Sequence, residues 1–96
     1  MIIEHACVTV TPGGGAGFEA AVATAASDVL PKAQGWLGLE LIKCIEHPDE
    51  YIVEIRWETV EAHMVTFRES ALFQEWRALV GPFFASPPNV RHYAPV

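Results

Sequence analysis

The segment from residue 36 to residue 57 carries apolar side chains on both faces of a predicted β-hairpin, and this pattern constrains the fold most. Two β-rich runs, 36–46 and 51–57, are joined by the tight turn His47-Pro48-Asp49-Glu50. In the first run the two faces are Leu37, Leu39, Leu41 and Ile45 against Trp36, Ile42 and Cys44. In the second they are Tyr51, Val53, Ile55 and Trp57 against Ile52, Glu54 and Arg56. A sheet of this kind needs cover on both faces.

The rest of the chain predicts two more strands and three helices. Residues 2–11 alternate as a strand, with one face formed by Ile2, Glu4, Ala6, Val8 and Val10. The apolar spacing over 17–30 predicts a one-faced helix. Thr59 and Ser70 are predicted N-caps. Thr59 begins a short helix, 60–69, that carries on one side Val60, His63, Met64 and Phe67. Ser70 begins a second helix, which ends at Gly81-Pro82, and a last strand follows at 89–94.

This order predicts an α+β, ferredoxin-like βαββαβ fold with an extra short helix. Right-handed crossovers place the first strand parallel to the second, with the third between them and the fourth beside the first. The result is a four-stranded antiparallel sheet with helices on one face. Because the chain has no helices left for the other face, we expect a second copy to cover it, in a homodimer.

Length and charge limit the number of domains and the kinds of partner that this chain can have. The 96 residues predict one domain, 1–96. A net charge of −6 with only six Lys and Arg argues against a nucleic acid or an anionic membrane as partner. No run approaches the ~20 apolar residues of a membrane-spanning helix, and the N-terminus lacks a secretory pattern. Cys7 and Cys44 are more typical of reduced cysteines that pack inside a cytoplasmic protein than of a disulfide pair. A disulfide between them also remains open.

The common metal and cofactor motifs are absent. The four histidines are scattered, and there is no HExxH or CxxC. Gly13-Gly14-Gly15 follows a strand, but a GxGxxG pattern is missing. No GxSxG elbow supports a Ser-His-Asp triad, although residue counts alone leave one open. The sequence therefore predicts neither a metal nor a cofactor.

An aromatic and basic cluster remains as the candidate site. Trp57 ends the third strand, His63 lies in the short helix, and Arg77 lies in the next helix after Phe73 and Trp76. Such a set can line a slot for a flat ring system, with a few polar groups to orient the ring. The alternative is that the aromatic residues are ordinary core, the histidine is structural and the arginine is solvated.

The run Trp57-Glu58-Thr59-Val60-Glu61-Ala62-His63, followed by Phe67, Ser70, Phe73 and a terminal Pro-Phe-Phe…His92-Tyr93 segment, resembles the antibiotic biosynthesis monooxygenase family. The resemblance implies a dimeric α+β barrel with a ferredoxin-like protomer. One branch oxidises anthrone-like or quinol-like aromatics with O₂ and needs neither metal nor flavin.

The resemblance also implies roles for individual residues. Trp57 would stack on or hydrogen-bond the substrate ring, and Arg77 would stabilise oxyanion charge. His63, which stands where some members carry tyrosine, would shuttle a proton. The expected substrate-binding wall is Val53, Ile55, Phe67, Phe73, Trp76 and Phe83. Val53 stands where some members carry an asparagine.

Two other readings of the same fold remain open. One is a non-catalytic or stress-related dimer that binds a small ligand in this pocket. The other is a haem-binding, haem-degrading or isomerase member of the superfamily. The haem-degrading branch uses an asparagine on the first strand with a tryptophan and a histidine on the helices. Here the only asparagine is Asn89, and the matching helix positions are Thr66 and Trp76.

Overall fold

The computed structural model describes residues 1–96 and contains four strands, two α-helices and a short π-helix. The strands are β1 (Ile2–Thr9), β2 (Trp36–Lys43), β3 (Glu50–Trp57) and β4 (Asn89–Tyr93). The helices are α1 (Gly15–Asp28), the π-helix (Ala62–Phe67) and α2 (Ala71–Val80). Short 3₁₀ turns follow each α-helix, at Leu30–Lys32 and Gly81–Phe83.

The strands form one antiparallel sheet in the order β2-β3-β1-β4, which confirms the predicted topology. The register pairs Ala6 with Val53 on one side and with Val90 on the other. The helix-covered face of β1 and β3 is buried, as their alternation predicts: Glu4, Ala6, Val8, Tyr51, Val53, Ile55 and Trp57. From α1, Phe18 packs into this core with its ring 5.0 Å from that of Tyr51. The α+β class is therefore confirmed.

The other face of the sheet has no helix. Its side chains include Ile3, Ile42, Ile52 and Tyr93, and Ile42 and Tyr93 are exposed. Across its centre, Glu54 lies 3.2 Å from His5 Nε2 and 3.4 Å from an Arg56 nitrogen. We call this surface the open face. Both cysteines are free, and Cys7 is exposed on the open face.

Three local predictions are wrong, the last of them in part. A β-bulge between Trp36 and Gly38 pairs Trp36 with Trp57, so Trp36 lies against the core and does not share a face with Ile42. Met64 is exposed because the chain winds as a π-helix at 62–67, where the 3.6-residue period does not apply, and Val60, just before this segment, is exposed as well. Ser70 does precede α2, but its hydroxyl donates back to the Phe67 carbonyl and caps no amide.

No helix in the structure has the length and apolar character required to cross a bilayer.

Candidate functional site

A cavity of about 1000 Å³ lies between the sheet and the helical segment that runs from the π-helix through α2. Its apolar lining comes from three strands, from the helices and from the segment after the last 3₁₀ turn: Ala6, Val8, Val53, Ile55, Val90, Phe67, Phe73, Trp76 and Phe84. The side chains that bring charge or hydrogen-bonding groups to it are Glu4, His63, Arg68, Gln74 and Arg77. Such a volume accommodates a flat ring system of two or three fused rings.

Glu4 is the acid at the inner wall of this cavity. It lies on β1 in phase with Ala6 and Val8, so the strand directs it toward the core, where it is 6% exposed. The indole Nε1–H of Trp57 donates a hydrogen bond of 2.9 Å to Glu4 Oε1. A buried carboxyl needs such a partner.

His63 is held beside Glu4 by the π-helix. The Thr59 hydroxyl accepts the Ala62 amide proton at 3.0 Å and so caps the start of this segment, as predicted. The wide turn is closed by the Arg68 amide, which donates to the His63 carbonyl. This winding turns His63 and Phe67 inward together. The His63 ring stacks on Trp57, with centroids 5.3 Å apart and planes 17° apart.

Both imidazole nitrogens of His63 have partners. Nε2 lies 3.3 Å from Glu4 Oε1, and Nδ1 lies 2.8 Å from Nε2 of His92. His92 is on β4, directly across from Glu4 in the register, and is half-buried. Glu4, His63 and His92 therefore form one chain of contacts, with a hydrogen bond between the two imidazoles and a 3.3 Å contact between His63 Nε2 and Glu4 Oε1, and we call it the buried relay.

Burial sets the protonation of the relay near neutrality. It raises the pKa of the Glu4 carboxyl from 4.5 to about 7, while the Trp57 donor and the positive charge of Arg68 act in the opposite direction. Burial also lowers the pKa of the His63 imidazole from 6.5 to about 4, and the nearby His92 and Arg68 add to this effect. At pH 7 His63 is neutral, and Glu4 is divided between its two forms.

Two arginines at the cavity lack carboxylate partners. The guanidinium carbons of Arg68 and Arg77 lie 5.4 and 5.8 Å from the centre of the Phe73 ring. Neither arginine forms a salt bridge, although the chain carries twice as many acidic as basic residues. Their positive charge is thus free to interact with an anion in the cavity.

The structure brings most of the predicted site residues together. His63, Arg77, Val53, Ile55, Phe67, Phe73 and Trp76 all line the cavity. Trp57 does not: it is 0% exposed behind Glu4 and His63, so the expected direct contact with a substrate ring is corrected to a hydrogen bond to Glu4.

Phe83 is also outside the cavity. The 3₁₀ turn after α2 directs its ring onto α1, against Phe18 and the close backbone of Gly17. Glu4, Arg68 and His92 join the site only in the structure and are not among the residues predicted for it.

No group of three or more His, Cys, Asp or Glu side chains is arranged to hold a metal ion. In the relay, His63 contacts Glu4 and His92 through different nitrogens, so its three members form a chain and do not converge on one point.

The family model for antibiotic biosynthesis monooxygenases matches residues 1–79. This chain belongs to the antibiotic biosynthesis monooxygenase family. The resemblance recognised from the Trp57–His63 segment is thereby confirmed.

Relatives of this family member extend over its full length. A Bordetella bronchiseptica structure named for the family is 49% identical, with a TM-score of 0.96 over 99% of this chain and 96% of that chain. The uncharacterized protein YczJ of Bacillus subtilis (strain 168) is 34% identical over 96 residues, which is 100% of both chains. A Nitrosomonas europaea structure named for the family has 16% identity and a TM-score of 0.80 over 100% of this chain and 99% of that chain, and it shows the fold alone. Because one fold hosts several chemistries, the reaction must be argued from the cavity residues.

We expect the stabilities of the Glu4→Gln and His63→Gln variants to change with pH in opposite directions between pH 4.5 and 6.5. In Glu4→Gln, the remaining His63 binds a proton less readily folded than unfolded, so stability rises with pH. In His63→Gln, the remaining Glu4 binds a proton more readily folded than unfolded, so stability falls as pH rises toward 7.

Each change should be roughly 2–3 kcal/mol. Urea unfolding across this range measures it, and wild type, where the two effects oppose, serves as the control. Parallel profiles in the two variants would contradict these pKa shifts.

Proposed function

We propose that this protein is a cofactor-independent monooxygenase that oxidises a small aromatic or quinol-type substrate with O₂ in the cavity. The observation that carries the proposal is the buried acid–imidazole pair, Glu4 and His63, at the inner end of an apolar, ring-sized cavity. Such a pair, itself buried, can accept a proton from a ring bound beside it. Family membership supports the reaction type.

For an anthrone-like substrate, the reaction balances without any other reagent. The C–H bond at an acidic CH₂ group breaks, its electron pair stays on the substrate, and the proton passes to the protein. The electron-rich enolate reduces O₂ and forms a C–O bond to give a peroxide. Cleavage of the O–O bond with loss of the second C–H proton yields a ketone and water. The substrate supplies all four electrons, so CH₂ plus O₂ becomes C=O plus H₂O.

The protein's part in this reaction is orientation, proton transfer and charge stabilisation. Phe67, Phe73 and Trp76 would hold the ring by its faces and edges. His63 would help to move the proton. Arg77, together with Arg68, would stabilise the enolate oxygen, since both guanidinium groups are unpaired. Trp57 would act from behind the wall by positioning Glu4.

Oxygen uptake with anthrone and with 1,4-dihydroxynaphthalene tests the proposal. With isotopically labelled O₂, we expect one labelled atom in the product and one in water. Replacing Arg77 with alanine should lower turnover about 10²-fold while the protein stays folded. Lys32→Ala, which removes an exposed charge outside the cavity, is the matched control.

Unchanged turnover in Arg77→Ala would remove the role given to that residue. Binding of the ring compounds without oxygen consumption would favour the non-catalytic reading of the same cavity.

The proposal includes a homodimer formed through the open face and a cytoplasmic setting in which the two free cysteines stay reduced. Apolar side chains without cover on this face or at its edge, such as Leu37, Ile42 and Tyr93, support pairing. We expect analytical ultracentrifugation at micromolar concentration to report a dimer. A stable species of 10.5 kDa would contradict it.

A further inference from the structure

The buried relay connects the cavity wall with the outer strand of the sheet. Glu4 and His63 line the cavity, whereas His92 does not. His92 belongs to β4, which lies at one edge of the sheet, and its side chain is half-buried. The distances of 3.3 Å and 2.8 Å along the chain are within reach of proton transfer once thermal motion shortens the longer contact.

The relay has two protonation states in which every member is hydrogen-bonded once the 3.3 Å contact between His63 Nε2 and Glu4 Oε1 aligns as a hydrogen bond. When Glu4 is ionised, it accepts from His63 Nε2–H, and His63 Nδ1 accepts from His92 Nε2–H. When Glu4 is protonated, it donates to His63 Nε2, and His63 Nδ1–H donates to His92 Nε2. The Trp57 N–H donates to Glu4 Oε1 in both states. His63 is neutral in both, so neither state places an imidazolium in the core.

We propose that Glu4 is the group that takes the substrate proton and that His63 and His92 link it to solvent at the edge of the sheet. This inference rests on the proposed function and specifies its base. In the step concerned, the substrate C–H bond breaks, its electron pair stays on carbon, and an O–H bond forms on Glu4. The relay then allows Glu4 to lose or regain a proton while the substrate fills the cavity and blocks the direct route.

The charged and titratable groups around Glu4 come from the π-helix, from the turn that follows it and from β4. His63 faces it from the π-helix and His92 from β4, and Arg68, just after the π-helix, acts on both Glu4 and His63 through its positive charge. Arg68 favours the ionised form of Glu4 and disfavours a charged His63. Both effects favour proton transfer through a neutral His63, with no stable cation between the two ends.

Two measurements that do not depend on oxygen consumption test the relay. The first is the imidazole nitrogen NMR spectrum of labelled protein against pH. In wild type, the proton of neutral His92 should move from Nδ1 to Nε2 as Glu4 ionises near pH 7. In Glu4→Gln this movement should be absent. A His92 tautomer that is the same in both proteins across the titration would overturn the relay.

The second measurement is anaerobic deuterium exchange at the CH₂ group of anthrone in heavy water. Wild type should accelerate exchange, Glu4→Gln should not, and His92→Gln should slow it about 10-fold, with recovery on addition of imidazole. His47→Gln, at an exposed histidine in the β2–β3 turn, is the matched control and should exchange like wild type. Equal exchange in Glu4→Gln and wild type, or no acceleration by wild type, would overturn the assignment of Glu4.

Failure of the relay and failure of the proposed function give different results. Exchange that depends on Glu4 and His92, without oxygen uptake in air, would contradict the monooxygenase and support the relay. Oxygen uptake together with exchange that does not depend on His92 would contradict the relay and support the monooxygenase.

Discussion

Replacing Glu4 with glutamine is expected to lower turnover of an anthrone or quinol about 10²- to 10³-fold at neutral pH, the range in which a positioned general base contributes. Glutamine keeps the shape of the side chain and an oxygen for the Trp57 donor, so the cavity and the fold should persist. It removes the only carboxylate that lines the cavity. Glu75→Gln, an exposed acid on the outer side of α2, is the matched control and should retain wild-type turnover.

The pH profile separates loss of a base from a structural defect. Because only ionised Glu4 can accept a proton, wild-type turnover should rise as pH increases through about 7 and then level off. Trp57→Phe keeps an aromatic ring but removes the hydrogen bond that favours the carboxylate, so the pKa of Glu4 should rise and the profile should move to higher pH. A wild-type profile without this rise, or full turnover in Glu4→Gln, would show that Glu4 is not the base.

Gly35→Ala is expected to destabilise the protein by about 3 kcal/mol, the sum of a strained backbone and an overpacked contact. Gly35 has φ +83°, a conformation that side chains disfavour. A Cβ at this position would also lie 2.7 Å from the Cβ of Ala62, which is fixed to the π-helix and cannot turn away. The Glu58 amide donates to the Gly35 carbonyl at 2.8 Å and holds this approach in place.

Gly13→Ala provides a matched control for the contact. Gly13 has a similar φ of +78°, but a Cβ there would meet nothing within 4 Å. Its substitution should cost about 1 kcal/mol, the backbone contribution alone. Urea unfolding of both variants measures the difference. Equal losses would mean that Ala62 relaxes freely and that Gly35 does not fix the position of the π-helix.

The sheet topology was predictable because it follows from local patterns and general rules. Alternation identified the strands, the turn at 47–50 identified the hairpin, and right-handed crossovers then left one arrangement. The exceptions lie where tertiary contacts override periodicity. The bulge at Trp36 depends on pairing with Trp57. The exposure of Met64 depends on a helix type that propensities do not signal.

The site was predictable in its aromatic wall and only partly in its chemistry. The sequence did contain a signal for Glu4, since an acid in phase with Ala6, Val8 and Val10 must face the core. His92 likewise lies two residues from Val90 along β4, so the two side chains share one face of the sheet. What the sequence lacked was the register that places Glu4 opposite His92, because pairing of strands about 90 residues apart arises only from the complete fold. The sequence predicts Trp57 at the surface of the pocket because its contact with Glu4 depends on the pairing of β1 with β3.

The π-helix makes the position of His63 sensitive to the number of residues in one turn. Its turn between His63 and Arg68 contains one residue more than an α-turn, and each residue of an α-helix rotates the chain by about 100°. A relative with one residue fewer here would close an ordinary turn and swing its counterpart of His63 out of line with the acid on β1. Loss of a single residue from this turn would therefore move the imidazole away from Glu4, while every strand that builds the cavity kept its sequence.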